Sequence, residues 1–400
     1  MDFSRIQLSE DAQEFWRREI IPFFDEMLPE AVLADERAAG NGYIPEYELA
    51  LGRRGWQRPT APPNAGGAGL DPQCAALVLG EEARRAGPMF PVKGSHNLVM
   101  NVINLFGSAE LKADLNAADA AGTVKCCLGY TEPDCGSDAA AITTRAVRDG
   151  DGWLISGQKM FSTGAHLAQY VMITARTNPA APSSRGITLF LLPLAQDGVE
   201  CHAIRTLGGE RTNVIYLDAA RVPDSHRLGP VDEGWRVASG ALAAEHGMGH
   251  SDSGGQAEPD PEIVAALGGP SNWQGVLQRT FDAVVAWLRT AQTEDGTALI
   301  VDPHIRGRLA QILIDIAVID VTPQPFARVI ASDLLIRDAA DLLDMCGAAG
   351  LLCAGATGTA AAGLVEWTHR FAQGTSIYGG TTDIQRNIIA QHVLGLPRPR

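Results

Sequence analysis

The residues best suited to chemistry lie in a short run, Cys126 to Asp138, that begins apolar and ends in a small-residue turn. Pro133 cannot continue a sheet ladder because it has no backbone N–H, and Gly136 and Ser137 let backbone N–H groups approach an anion or a carbonyl oxygen. A turn of this kind at the end of a strand suits contact with a flavin or a phosphate. An ordinary polar turn between two strands is the alternative, and it accounts for most isolated Gly-Ser-Asp sequences.

Three more runs add to this pattern. One has Trp153, Ile155, Gly157, Lys159, Phe161 and Thr163 at alternate positions, a second extends from Ile377 to Ala390, and a third from Asn213 to Pro223. Together with Cys126 to Asp138, they resemble the acyl-CoA dehydrogenase family. Because the matches extend over nearly the whole chain, they make the ordinary turn the weaker interpretation.

The resemblance implies α,β-dehydrogenation of an acyl-CoA thioester to the trans-2-enoyl-CoA, with bound FAD and with electrons passed to an electron-transferring flavoprotein. In that reaction a carboxylate removes the α proton, flavin N5 receives the β hydride, and hydrogen bonds polarise the thioester carbonyl. Two alternatives stay open at this point. One is a non-catalytic flavin-binding subunit of a mixed oligomer, and the other is an acyl-CoA oxidase.

The resemblance also implies a set of flavin and thioester contacts. In the middle of the chain these are Leu128, Tyr130, Thr131, Gly136, Ser137, Phe161, Ser162 and Thr163, with Phe161 where the family usually has Trp. Near the C-terminus they are Gly380, Thr381 and Asp383.

The cofactor's pyrophosphate has no secure partner in the sequence. The family's Arg-x-x-Phe-Gly motif, which reaches it across a subunit interface, is missing: Arg279 is followed by Phe281 without the glycine, and Arg289 lies at a better distance from the next helix. Asp344 and Gly347 are further contacts by position only.

The catalytic base is not where most family members carry it. Gly379 occupies that position, and a glycine cannot accept a proton. A minority of members carry the glutamate on the first long helix of the C-terminal bundle instead. The run Gly234-Trp235-Arg236 matches the start of that helix, and the match predicts Glu245 as the base.

Glu245 has other interpretations. With His246 and His250 it has the spacing of metal ligands, but no third ligand is placed and the neighbouring glycines weaken the helix, so we predict no metal site. A solvated surface acid is the more ordinary alternative. Asp383 is the reserve candidate for the base, although its position fits a cofactor contact better.

Composition excludes several other classes of protein. The 400 residues are 46% hydrophobic, with a net charge of −15 and a pI of about 5.0, so a nucleic-acid-binding or membrane-surface footprint is not expected. Met345 to Val365 is too poor in large apolar residues for a membrane span, and the N-terminus does not resemble a signal peptide. The seven cysteines, without a C-x-x-C pair, indicate buried reduced thiols. We therefore expect a cytoplasmic protein.

The order of patterns predicts an α+β fold of three domains. Helical patterns occupy residues 1–122, a predicted β-barrel occupies 123–230, and helical periodicity returns over 231–400 and predicts a four-helix bundle. Within the last part, Met345 to Val365 is interpreted as a buried helix pair and His250 to Pro270 as a loop or insertion. We expect a homotetramer joined through the bundle, or a mixed oligomer.

Five strands are expected in the middle domain. They are Thr143 to Val147, Trp153 to Ser156, Tyr170 to Ala175, Ile187 to Leu192 and Val214 to Leu217.

Overall fold

The order of secondary structure is helices, then a sheet, then helices again, as the sequence predicts. The structure is a computed structural model that describes residues 8–85, 91–181, 185–238, 271–323 and 325–397.

The N-terminal part is built of helices around an aromatic core. In chain order they are α1 (Glu10–Phe15), a π-helical turn (Trp16–Ile20), α2 (Ile21–Met27), α3 (Glu30–Ala39), α4 (Pro45–Arg53), α5 (Pro72–Arg85), α6 (Pro91–Phe106) and α7 (Ala109–Ala120). Phe23 meets the rings of Phe24 and Trp56 edge-on, and Tyr47 is fully buried against both phenylalanines. Edge-to-face packing of this kind adds to the burial of apolar area.

The middle part is a curved, mostly antiparallel sheet. Its strands are β1 (Cys126–Gly129), β2 (Arg145–Asp149), β3 (Gly152–Lys159), β4 (Tyr170–Arg176), β5 (Ile187–Pro193), β6 (Val199–Arg205), β7 (Arg211–Pro223) and β8 (Arg227–Leu228). Neighbours follow the order β6-β7-β3-β2-β4-β5-β8, and β1 pairs with β4 in parallel. All five expected strands are present, whereas β6 and β8 were not predicted.

The C-terminal part contains four long helices in the described residues. These are α8 (Ser271–Leu288), α9 (Pro303–Val321), α10 (Phe326–Met345) and, after the short α11 (Gly347–Gly350), α12 (Leu364–Thr375); α13 (Thr382–Ile388) follows. The periodicity that predicts the bundle is confirmed, because Leu309, Ile312, Ile316 and Ile319 are all buried in its core. None of the described helices is both long and apolar enough to span a membrane.

The interpretation of Met345 to Val365 as a buried helix pair is wrong. After α10 the chain forms only α11 and a 3-10 turn at Ala360–Gly363, and Leu351 is 65% exposed. Gly347 has a positive φ angle and follows the C-cap of α10, and Gly355 and Gly358, also with positive φ angles, lie in the turns between α11 and the 3-10 turn.

One face of α9 is apolar and open to solvent. Leu313, Ile314, Val318 and Val321 are all exposed, with the i, i+1, i+5, i+8 spacing of one side of a helix. Exposed apolar faces of this kind are typical of interaction surfaces.

Six of the seven cysteines are at least partly buried. Cys74, Cys126, Cys127, Cys135 and Cys346 are buried, Cys201 is half-buried and Cys353 is exposed, and none forms a disulfide. The expectation of buried thiols is therefore confirmed for five of them.

Buried ion pairs attach the sheet to the N-terminal helices. Lys125, just before β1, donates from Nζ to Glu48 Oε2 of α4 at 2.6 Å, and both side chains are almost fully buried. His96 of α6 accepts the Cys126 N–H at Nδ1 and contacts Asp119 of α7 through Nε2 at 2.7 Å. These contacts fix the start of β1, and therefore the run that follows it, against three helices.

Candidate active site

The two runs that the sequence singles out in the middle of the chain lie side by side. The Met160 N–H donates to the Thr131 carbonyl at 2.9 Å, which joins the end of β3 to the loop after β1. That loop is closed by a pair of backbone hydrogen bonds between Glu132 and Cys135 at 3.0 and 3.2 Å. Gly136 and Ser137 directly follow this closed turn, at the ends of β1 and β3.

A buried ion pair holds the same two runs together. Lys159 Nζ donates to Glu132 Oε1 at 2.8 Å, and the two side chains are 0% and 3% exposed. Glu132 also accepts hydrogen bonds from the Thr143 N–H, the Thr143 hydroxyl and the Thr144 N–H. Burial alone would raise the pKa of Glu132, but the Lys159 ammonium and these donors lower it to about 2. Glu132 is therefore a charged structural group, not a proton acceptor.

Sequence reasoning missed this pair. Glu132 and Lys159 are both inside the recognised runs, but Glu132 is one of three acids in its run, with Asp134 and Asp138. Charges that are fully buried are normally paired, but only the fold shows which of these charges are buried.

Phe161 is held in an unusual backbone conformation with its ring in solvent. Its φ is +56°, which non-glycine residues rarely adopt, and the residue is 57% exposed. Asn213 fixes the backbone of Ser162, the residue after Phe161, by two hydrogen bonds. The Asn213 carbonyl accepts the Ser162 N–H at 3.0 Å, and Asn213 Nδ2 donates to the Ser162 carbonyl at 2.9 Å. The backbone therefore presents an aromatic ring outward, as strained residues at functional sites often do.

The polar groups around Phe161 include one without a partner. Ser162 is fully buried, and its Oγ has no hydrogen-bond partner among the described residues. Thr163, two residues after Phe161, is half-buried and its hydroxyl donates to Thr212 Oγ1 at 3.4 Å. A buried hydroxyl without a partner points to a ligand or water that completes the site.

The remaining predicted contacts of this group surround the same edge. Leu128, Tyr130 and Thr131 are half-buried, and Gly136 and Ser137 are exposed. No described atom lies within 4 Å of a Cβ built on Gly136, so the backbone of the turn is open to an approaching ligand. All eight residues predicted in the middle of the chain thus lie along two adjoining segments.

The predicted contacts near the C-terminus belong to a different element. Gly379 and Gly380 have φ angles of +63° and +79° in the turn between α12 and α13. Thr381 caps α13, because its hydroxyl accepts the Ile384 N–H at 3.2 Å. Asp383 is exposed and pairs with Arg386 at 3.3 Å.

A third set of predicted cofactor contacts lies around the end of α10. Arg308 of α9 donates to Asp344 at 2.8 Å and also pairs with Asp341, so the acid predicted to contact the cofactor already has a cation of its own chain. Gly347 is exposed, with φ +56°, and Arg289 is exposed at the end of α8. Neither observation decides which arginine faces a pyrophosphate, and these contacts stay predictions.

The predicted base is in a part of the chain that is not described. Glu245 and the possible metal ligands His246 and His250 lie outside the described residues, as does the whole of His250 to Pro270.

The fold and this edge of the sheet define a class of proteins, the three-domain oxidoreductases that act on acyl-CoA. Family models match all three parts: "Acyl-CoA dehydrogenase, N-terminal domain" over residues 5–122, "middle domain" over 127–220 and "C-terminal domain" over 322–394. The chain belongs to the acyl-CoA dehydrogenase family.

Relatives that match most of the length of the chain support the same family assignment. The chain is 30% identical to the acyl-CoA dehydrogenase IpdE1 of Mycolicibacterium smegmatis over 379 residues, which cover 88% of this chain and 90% of the relative. It is similar to a chain of the ChsE4-ChsE5 complex from Mycobacterium tuberculosis, with a TM-score of 0.81 and 27% identity over 99% of this chain and 100% of that one. It is also similar to the Tcur3481-Tcur3483 steroid ACAD, with a TM-score of 0.79 and 26% identity over 99% and 100% of the two chains.

The residues at the sheet edge fit FAD, the cofactor of this family. The Phe161 ring offers an exposed aromatic face, Ser162 offers a buried hydroxyl without a partner, and the Gly136 turn has room for close backbone approach. The acid at position 132 is neutralised by Lys159, so it does not present an unpaired negative charge to the cofactor.

Proposed function

We propose that this chain catalyses the FAD-dependent α,β-dehydrogenation of an acyl-CoA thioester and passes the electrons to an electron-transferring flavoprotein. The observation that carries the proposal is the arrangement of Phe161 and Ser162 beside the Gly136 turn, held by the Glu132–Lys159 pair. Two recognised runs meet there, with an exposed aromatic ring, a buried hydroxyl that lacks a partner among the described residues, and open backbone.

Each part of the chain has a separate task in this proposal. Bound FAD supplies an acceptor for the hydride that leaves the β carbon. Phe161 packs against the flavin ring, Ser162 and Thr163 donate to its edge, and the backbone of the Thr131 to Ser137 loop binds beside the thioester. Glu245 accepts the α proton. Resemblance supports this role, because the minority of family members that lack a glutamate at the position of Gly379 carry the base on the helix that contains Glu245.

The proposed substrate is an acyl-CoA with a bulky, steroid-derived acyl group, and the proposed assembly contains an unlike chain. The names of the two similar structures support both points, because one is a steroid enzyme and each joins two differently named chains. The exposed apolar face of α9 supports the second point, since it needs a protein partner. A mixed assembly also accounts for the missing Arg-x-x-Phe-Gly motif if the other chain supplies the pyrophosphate contact.

The experiment compares the chain expressed alone with the chain co-expressed with each other acyl-CoA dehydrogenase of its genome. We expect flavin absorbance in at least one preparation and bleaching of that absorbance by a steroid-derived acyl-CoA under nitrogen. Glu245→Gln should retain flavin while bleaching slows roughly a hundredfold or more, the scale of losing a general base. Asp383→Asn is the matched control and should keep the bleaching rate per bound flavin within a few-fold.

Three outcomes would contradict the proposal. A folded chain that takes up no FAD in any combination rules out the flavin chemistry. Bleaching of Glu245→Gln at the wild-type rate rules out the base. Rapid re-oxidation of the reduced flavin by air, faster than by an electron-transferring flavoprotein, favours the oxidase instead.

A further inference from the structure

Arg328, near the start of α10, lies beside the glycine turn that joins α12 to α13. Its Nη1 donates to the Thr375 carbonyl at 2.9 Å, and its Nη2 donates to the Tyr378 carbonyl at 2.6 Å, with the Gly380 carbonyl 3.5 Å from the same nitrogen. These acceptors belong to one stretch of backbone. A planar guanidinium can serve several such acceptors at once, which an ammonium group does less well.

The same guanidinium is stacked on an aromatic ring. Arg328 Cζ lies 4.2 Å from the ring centroid of Trp273 in α8, and Trp273 meets the Tyr378 ring edge-on at 6.1 Å. A cation over an indole face is attracted by the ring's quadrupole, and the stack also limits the conformations of the arginine. Arg328 thus connects α8, α10 and the turn.

The turn has little conformational preference of its own. Gly379 and Gly380 are both in the left-handed region, where glycine is free but also loses the most entropy on being fixed. The turn's own closing bonds are the Thr382 N–H to the Ser376 carbonyl at 3.0 Å and Gln385 Nε2 to the Gly379 carbonyl at 3.1 Å. A clamp from another helix therefore has a large share in holding it.

Position 379 also faces this cation. A Cβ built on Gly379 would lie 3.7 Å from Arg328 Nη2, an ordinary van der Waals distance, although the φ of +63° would strain the backbone of any other residue there. A carboxylate at this position would be within reach of the guanidinium. Because an adjacent cation favours the charged form of an acid, that carboxylate would be a weak proton acceptor.

We propose that Arg328 is a positioning residue that holds the 376–381 turn in place, and that it makes position 379 unsuitable for a catalytic carboxylate. The inference rests on the proposed function, because it assigns the turn to the reacting site. The positive φ at 379 already favours glycine, and the nearby cation adds a second reason why a base at this position would be weak.

The first test measures the turn itself. Hydrogen–deuterium exchange of a peptide covering residues 376–382 is compared in wild type, Arg328→Met, Arg328→Lys and Arg54→Met, each purified with whatever partner and flavin it retains. Arg54 is the matched control, because it also stacks on aromatic rings, those of Phe23 and Trp56 at 4.8 and 5.0 Å, but belongs to the N-terminal helices. We expect exchange to speed up roughly tenfold or more in Arg328→Met and less in Arg328→Lys, with no change in Arg54→Met.

The second test measures the reaction. Arg328→Met should slow anaerobic bleaching at saturating acyl-CoA by roughly ten- to a hundredfold per bound flavin, as misplaced groups do, with a smaller change in the half-saturating concentration. Arg328→Lys should recover part of that loss. A role in overall stability alone predicts a lower melting temperature and less bound flavin, but an unchanged rate per flavin, and that result would overturn the inference.

The third test examines position 379. Gly379→Glu and Gly379→Gln are made in the Glu245→Gln chain, so that they differ only in the carboxylate. If Arg328 captures the acid, the two bleach equally slowly between pH 6 and 9. Faster bleaching by the glutamate variant with Arg328 intact would overturn this part of the inference.

Failure of the proposed function has a different signature. If the wild-type chain shows no bleaching in any combination, the function is wrong, while the exchange experiment still decides whether Arg328 holds the turn. If the wild type bleaches and Arg328→Met bleaches and exchanges like it, the function stands and the role of Arg328 is wrong.

Discussion

Glu132 beside the middle sheet and Asp338 in the C-terminal bundle are both buried carboxyl groups beside a cation, yet their pKa values are shifted in opposite directions. Glu132 is 4% exposed and Asp338 is 1% exposed. The pKa of Glu132 is lowered to about 2, whereas burial raises the pKa of Asp338 to about 6, with a further increase from Asp315 and Asp341.

The difference is in the number of donors, not in the degree of burial. Glu132 accepts from Lys159 and from three donors of Thr143 and Thr144. Asp338 accepts from Arg337 Nε at 2.8 Å, but its Oδ2 has no partner in the described part of the chain, and Arg337 is shared with Asp315. The pKa of a buried acid is thus lowered where its oxygens are all satisfied, and it is raised where one of them is left without a donor.

The largest effect should come from breaking the sheet's ion pair. Lys159→Met leaves Glu132 buried without its cation, and the free energy of unfolding should fall by about 3–5 kcal/mol. Urea denaturation measures this. Arg221→Met, which removes an exposed partner of Asp149, is the control and should change stability by less than about 0.5 kcal/mol. A loss of under about 1 kcal/mol for Lys159→Met would mean that water reaches Glu132.

Removing the charge of Asp338 should stabilise the protein. Because its folded pKa is raised, the stability due to the protonated form is present below about pH 4 and is lost as the pH rises through 6. Asp338→Asn keeps the oxygen that accepts from Arg337, and it should raise the free energy of unfolding by about 1–2 kcal/mol at pH 7. This is less than the whole pKa shift corresponds to, because Arg337 is exposed and solvent screens its interaction with position 338.

Denaturation curves at several pH values from 4 to 8 measure how the stability gain of Asp338→Asn depends on pH. The gain of Asp338→Asn over wild type should vanish at pH 4 and grow to a plateau above pH 7. Glu132 behaves in the opposite way: its contribution is present above its ordinary pKa near 4.5 and is lost as the pH falls toward 2. A gain that is equal at all pH values would show that the effect of the asparagine is not electrostatic.

Removing a single donor from Glu132 should have a smaller effect. Thr143→Val keeps the shape of the side chain and deletes the hydroxyl that donates at 2.8 Å, so unfolding free energy should fall by about 1 kcal/mol. The same change at Thr212, whose hydroxyl accepts at 3.4 Å in a weak bond, gives the comparison. Equal effects at the two positions would argue against a special role for donors to Glu132.

The smallest effect is expected for an exposed pair in the bundle. Arg386 contacts Asp333 at 2.6 Å and Asp383 at 3.3 Å, with all three side chains about half exposed or more. Arg386→Met should change the unfolding free energy by less than about 0.5 kcal/mol, because water screens such pairs. A loss above about 1 kcal/mol would place this pair with the buried ones.

The sequence predicted those features that depend on local pattern. The buried stripe of α9 follows from the spacing of Leu309, Ile312, Ile316 and Ile319, and strands β4 and β5 follow from continuous apolar runs between turns. Strand β6 was missed because its edge position leaves Glu200 and His202 exposed, so no buried face shows in the sequence. The small-residue composition of Met345 to Val365 suggests buried helix, but the positive φ angles of Gly347, Gly355 and Gly358 leave most of this segment in turns.

The contacts of the candidate site could be predicted only in part. Resemblance placed Phe161 and Gly136 in one group, and the structure brings their segments together. Nothing local indicates that Lys159 meets Glu132, or that Arg328 reaches carbonyls about fifty residues further along the chain, because such pairings arise only when separate elements fold against each other. The role of Glu245 stays a prediction.

The uneven exposure of the cysteines has a practical consequence. Cys74, Cys126, Cys127, Cys135, Cys201 and Cys346 all have raised pKa values because of burial, so their thiolate fraction at neutral pH is small. Cys353 is exposed, in the segment after α11. A maleimide dye should therefore attach to this one sulfur in the native chain, and energy transfer between dyes on two chains would report their association in solution without any engineered residue.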